Sequence, residues 1–147
     1  MNKDQSFKLL MLLGAFSSLA LLGGFSAVVV VLSIVLIFFF HELGHYVVAR
    51  KSGMQVTEFF IGFGPRIFSF HRGETEYGLK AIPAGAYVRV TGMNNLEDVD
   101  PSLEKRTYRA QTYPKRLALT LAGSATHFLL ALLLLVIIFM TIGKPHP

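Results

Sequence analysis

VVVVLSIVLIFFFHELGH, residues 28–45, is the stretch on which the reading of this chain turns. Val28 to Phe40 runs without a charge into His41-Glu42-Leu43-Gly44-His45, an H-E-x-x-H motif. On a helix, residues four apart lie on one face, so both imidazoles can bind a single Zn²⁺. Glu42 stands beside them, near enough to reach a water on the metal without being a ligand. Zinc lowers the pKa of such a water to about 7, so a carboxylate can take its proton at neutral pH and return it to a leaving nitrogen. This pattern arises by chance in roughly one chain in a few hundred; its place at the end of an apolar helix says more. Ionisable groups in a membrane helix cost on the order of a few kcal/mol each unless they are paired or bind something. Two histidines and a glutamate at metal spacing meet that condition.

Toward the N-terminus the apolar run reaches back to Leu9, too long for one ordinary span, and Gly23-Gly24 divides it. We read helices over residues 7–22 and 25–50. Residues 1–24 form an extra hydrophobic segment, read as a further transmembrane helix, with a re-entrant or interfacial course as the alternative. A cleaved signal peptide fits less well, because the apolar run continues into HELGH with no polar segment between. Toward the C-terminus, Leu117–Ile142 is a second apolar run of helical length, at about 1.5 Å per residue enough to cross a roughly 30 Å hydrocarbon layer. Lys115 and Arg116 anchor its near end, with Tyr108 and Tyr113 as interfacial aromatics, and the tail to Pro147 emerges opposite. His41 follows Phe25 by about 24 Å of helix, which puts the motif inside the bilayer, within two turns of its cytoplasmic face. Gly44 on one helix, with Ala118, Ala122, Gly123 and Ser124 on the other, would let the two approach closely.

Composition agrees. The chain is 52% hydrophobic, with 13 Phe, more apolar surface than a soluble core of this size can bury. It has no cysteine, so a metal here takes nitrogen and oxygen ligands. Of the fourteen Lys and Arg, eleven lie between Arg50 and Arg116, against seven acidic residues. A basic stretch between two apolar runs follows the positive-inside rule, so residues 51–116 are expected to be cytoplasmic and no nucleic-acid partner is expected. Within that loop, residues 56–93 carry Gly and Pro punctuation that points to strands, about 67–71 and 75–82 around a turn at Arg72-Gly73-Glu74, and a third over 86–90. Its exposed face is rich in Phe. Residues 94–105 read as a solvated acidic loop, and His71 as an exposed strand residue. The fold class is a mainly α membrane protein: two to three transmembrane helices, with a small membrane-associated β-sheet in the cytoplasmic loop. Its parts are 1–24, 25–50 with HELGH, 51–116, and 117–147.

Several motifs then stand in order: HELGH closing an apolar helix, Gly62-Phe63-Gly64-Pro65, the run from Arg72-Gly73-Glu74 through Pro83-Ala84-Gly85-Ala86-Tyr87-Val88, and Ala122-Gly123 on the last helix. Over residues 25–142 this resembles the site-2 protease family of intramembrane zinc metalloproteases, in its bacterial branch that cleaves membrane-bound anti-sigma factors. A metzincin-type third histidine would fall at position 51, which is Lys51. The resemblance implies a zinc endopeptidase of the inner membrane, with His41 and His45 as ligands and Glu42 as the base. Its substrate would be a single-span transmembrane protein that unwinds and adds a strand to the sheet. It also implies a third ligand, an aspartate of a Leu-Asp-Gly motif that these residues lack, expected beyond Pro147. Without it, the alternative is a truncated, non-catalytic scaffold or metal-binding fragment. Where the family pattern has Gly-Pro-x-x-Asn, this chain has Gly123-Ser124-Ala125-Thr126-His127. His127 is therefore a candidate for the asparagine's polar role near the reacting carbonyl, with helix packing or metal ligation as alternatives.

Overall fold

The computed structural model describes residues 3–94 and 96–143; the 144–147 part of the expected tail lies outside them. The element order is α1 (Lys3–Lys51), β1 (Val56–Arg72), β2 (Thr75–Val90), a short 3₁₀ turn (Glu104–Arg106) and α2 (Tyr113–Ile142). α1 is two helices joined at Gly24, whose φ of 69° and ψ of 179° leave the helical region. A residue without Cβ takes up that conformation at little steric cost. Ala15, Phe16 and Leu19 share a small cavity with Val31 and Pro83, so the N-terminal segment turns back beside the helix that follows. Both α1 and α2 carry windows long and apolar enough to cross a membrane, with 0% of either window buried.

α1 ends in a hydrogen-bonded cap. The amides of Gly53 and Met54 donate to the carbonyls of Arg50 and Ala49, at 3.1 and 3.0 Å, closing the last turn in a Schellman arrangement. Met54 and Ala49 thereby enter one core cluster with Val56, Val90 and Leu119. That cluster joins the end of α1, both ends of the hairpin and the first turns of α2, directly beside the HELGH turn.

The sheet has two long strands rather than the three short ones expected. Residues 86–90 are the far end of β2, which reaches back to pair Val90 with Val56. The hairpin also curls onto itself. Phe59 pairs with Val88 on one side and with Tyr77 on the other, and on that second side the paired numbers rise together, from Glu58 with Glu76 to Ile61 with Leu79. The bend lies at Gly62-Phe63-Gly64-Pro65. Gly62 has φ of 85°, and a Cβ there would come within 2.7 Å of the Ile82 carbonyl oxygen. The first half of β1 and the first half of β2 are thus flanked on both sides, which leaves residues 66–72 and 86–90 as the outer edges. Phe59 and Phe60 turn inward and are buried, whereas Phe63, Phe68, Phe70 and Ile82 are exposed, as the Phe-rich face implied. His71 is exposed, as expected.

The acidic segment is more anchored than a solvated loop. Glu97 accepts the Gly92 amide at 2.8 Å, and Glu104 is gripped by Arg109 through Nε and Nη2, both at 2.8 Å. Glu104 pairs with Arg109 after it and Glu97 with Arg89 before it, which the local charge count did not show.

Candidate metal centre

His41, Glu42 and His45 occupy the last turns of α1, and α2 crosses them at its first buried stripe, Leu119, Ala122 and Gly123. Gly44 makes the crossing close: a Cβ there would lie 2.6 Å from Thr126 Cγ2 and 2.7 Å from the Ala122 carbonyl oxygen. Of the small residues expected to face α1, Ala122 and Gly123 do so. Ala118 and Ser124 are exposed on other faces of α2, because a helical stripe returns every three or four residues and they fall between its turns.

The two imidazoles are held in a particular way. His45 Nδ1 lies 2.8 Å from the Leu119 carbonyl oxygen. A carbonyl only accepts, so the proton is on Nδ1 and the Nε2 lone pair is left free. This carbonyl-bound tautomer is the one metal-ligating histidines adopt. Nε2 of His45 is 3.2 Å from Nε2 of His41. Two nitrogens each about 2.0–2.1 Å from a tetrahedral zinc would be separated by about 3.3 Å. Gly123 provides the floor: a Cβ at that position would collide with Cε1 and Nε2 of His41 and with Nε2 of His45. Both imidazole tips thus come as close to α2 as they do because residue 123 has no side chain. The donors, their spacing and this cradle fit a zinc ion.

His127 lies against His41, with ring centroids 4.9 Å apart and planes tilted by 49°. The His41 ring also lies 4.9 Å from that of His45. Among the described residues no group of three or more His, Asp, Glu or Cys is gathered as a metal site.

Glu42 lines a cavity of about 190 Å³ together with His45, Leu119 of α2, and Val88, Val90 and Met93. The Val88 backbone amide is turned toward the Glu42 carboxylate, so the outer edge of β2 faces this side chain. A second cavity of about 360 Å³ shares Val88, Val90 and Met93 and continues past Arg89, Asn94 and Glu97. Together the two line the free edge of β2, beginning at Glu42 and His45. The Leu119 carbonyl, the Gly123 floor and the Val88 amide were not identified as parts of the site from sequence. All three act through backbone, and side-chain chemistry gives no signal of that. Gly123 alone was marked, as a small residue on α2.

Comparison with known proteins points the same way. The pattern of Peptidase family M50 matches residues 29–146. Zinc metalloprotease Rip1 of Mycobacterium tuberculosis is 42% identical over 109 residues, covering 73% of this chain and 27% of its own length. Rip1 of Mycolicibacterium smegmatis is 37% identical over 127 residues, 84% of this chain and 31% of its own. Zinc metalloprotease RasP of Oceanobacillus iheyensis is 60% identical over 52 residues, 35% of this chain and 12% of its own. The chain thus spans about a quarter to a third of the Rip1 relatives' length. With the family pattern laid over α1 from Val29, the whole sheet and α2, the chain belongs to Peptidase family M50, the site-2 proteases.

Proposed function

We propose that this chain supplies the zinc-binding half of an intramembrane endopeptidase, with His41 and His45 as ligands and Glu42 as general base. The observation that carries this is the pair of Nε2 atoms 3.2 Å apart, one fixed in its metal-ready tautomer by Leu119. Zinc supplies there a water acidic enough to ionise near neutrality and an electrophile for the substrate carbonyl. Glu42 takes a proton in the cavity it shares with His45 and returns it to the departing amine nitrogen. His127, against His41, positions that ring and offers a polar group near the reacting carbonyl. The third ligand is the aspartate expected of the family outside these residues.

The substrate is a single-span membrane protein, of the anti-sigma-factor kind, cleaved after its helix has unwound. Support comes from the cavities along residues 86–90: an extended peptide added to that edge would run its carbonyls past Glu42 and His45. Placement in the inner membrane, with residues 51–116 cytoplasmic, is supported by the unburied apolar stretches of both helices and by the basic residues between them.

The test is zinc content of the detergent-purified chain beside a His41→Ala, His45→Ala double variant. Stoichiometric zinc lost in the variant supports the site. Equal zinc in both would sink it, and a well-folded parent without zinc would show that the pair needs its third ligand.

A further inference from the structure

A sizeable cavity lies away from His41 and His45. It measures about 520 Å³ and is lined by Tyr46, Arg50, Phe70, Arg72 and Tyr77, between the last turns of α1 and the hairpin tip. Its charge is unbalanced. Glu74 beside it is engaged by both Nη atoms of Arg106, at 2.8 and 2.7 Å, and by Arg50 as well. Among the described residues no carboxylate pairs with Arg72. Three guanidinium groups against one carboxylate leave two positive charges, and the free one lines the cavity.

The cavity also holds a hydrogen-bond donor to spare. The Tyr46 and Tyr77 hydroxyls are 2.5 Å apart. Whichever donates, the other keeps its own hydrogen for a further acceptor. Beneath them an aromatic wall descends α1: Tyr46 packs edge-on against Phe59 at 5.4 Å, and Phe59 against Phe39 at 5.7 Å. The arrangement is a cationic, hydroxyl-bearing mouth over an aromatic flank, placed where α1 leaves its apolar stretch. Arginine suits a phosphate by its forked donors, and aromatic rings suit the level of lipid headgroups.

We propose that this cavity binds the phosphate headgroup of an anionic glycerophospholipid, with Arg72 and Arg50 on the phosphate, a tyrosine hydroxyl donating to it, and an acyl chain along the half-buried Tyr46 and Phe39, which the buried Phe59 backs. The inference rests on the membrane placement given above and is independent of the zinc chemistry. The lipid would fasten the hairpin tip to the membrane surface and so fix the depth of the β2 edge beside Glu42.

The experiment reconstitutes the full chain in vesicles of equimolar phosphatidylcholine and phosphatidylglycerol, re-extracts it gently and measures the two lipids retained per protein. The parent is expected to keep phosphatidylglycerol in excess. Arg72→Gln, which spares the Glu74 pairs, should reduce that excess about fivefold, the effect of one arginine at an anionic surface. Lys51→Gln, an exposed cation one residue beyond Arg50, should not. No excess in the parent, or equal losses in both variants, would overturn the site in favour of general surface charge. Displacement of the lipid by millimolar inorganic phosphate would overturn the lipid as its occupant. A chain that stays soluble without detergent would instead overturn the membrane placement itself.

Discussion

Gly123 governs the metal centre without offering an atom to it. Because both imidazole tips occupy the room a Cβ would need, Gly123→Ala should drive His41 and His45 apart and abolish stoichiometric zinc, while the circular dichroism of the helices is kept. Zinc retained at parental level in that variant would mean the helices cross elsewhere. Glu42→Gln makes the complementary prediction. In the full-length protease it should leave zinc in place and lower peptide turnover by about 10²–10⁴-fold, the usual range for losing a general base. Loss of zinc would instead make Glu42 a ligand. At this scale HELGH was legible from sequence, because helical periodicity alone puts residues 41 and 45 together. The partners that set their tautomer and leave them room belong to another helix and act through backbone, so no local pattern discloses them.

The hairpin shows what local signals do and do not carry. Its turn at Gly73 and its strand character were readable from Gly, Pro and aromatic placement. The number of strands was not, since glycines that mark bulges also mark strand ends, and only the pairing of residues 86–90 with 56–61 distinguishes them. That pairing creates the free edge that faces Glu42. Val88→Pro removes the amide directed at the carboxylate on an edge where proline is tolerated. It should lower turnover by more than about tenfold with zinc content unchanged. Turnover equal to the parent's would take the β2 edge out of the reaction.

Across the whole molecule, one carboxylate ties three elements together. Glu74 at the hairpin turn binds Arg106 of the 3₁₀ turn and Arg50 of α1. Its hydrogen bond to Arg106, the largest influence, holds its pKa below the ordinary glutamate value, burial opposing and the charges of Arg106 and Arg50 assisting. A depressed carboxylate stabilises the fold above its unfolded pKa of about 4.3 and loses that contribution as pH falls through the folded value. Thermal melting in detergent should therefore show Glu74→Gln less stable than the parent by about 1 kcal/mol at neutral pH, the partly exposed arginines limiting the effect. The difference should shrink as pH falls below the ordinary glutamate value and vanish only once the folded parent's carboxylate has itself taken up its proton. A gap that persists into acid would assign the loss to packing. None of this long-range pairing was legible in the chain, because Arg50, Glu74 and Arg106 are far apart in sequence and each looks like an ordinary surface charge.

The bond from His45 to the Leu119 carbonyl joins the first helix of the site to the last. Ligand affinity and interhelical docking therefore belong to one equilibrium, and by reciprocity each must strengthen the other by the same factor. A metal ion captured by α1 alone becomes a latch on α2. Separating the two helices by force, or by a substrate wedged between them, should be harder when the latch is loaded and should loosen the metal in return.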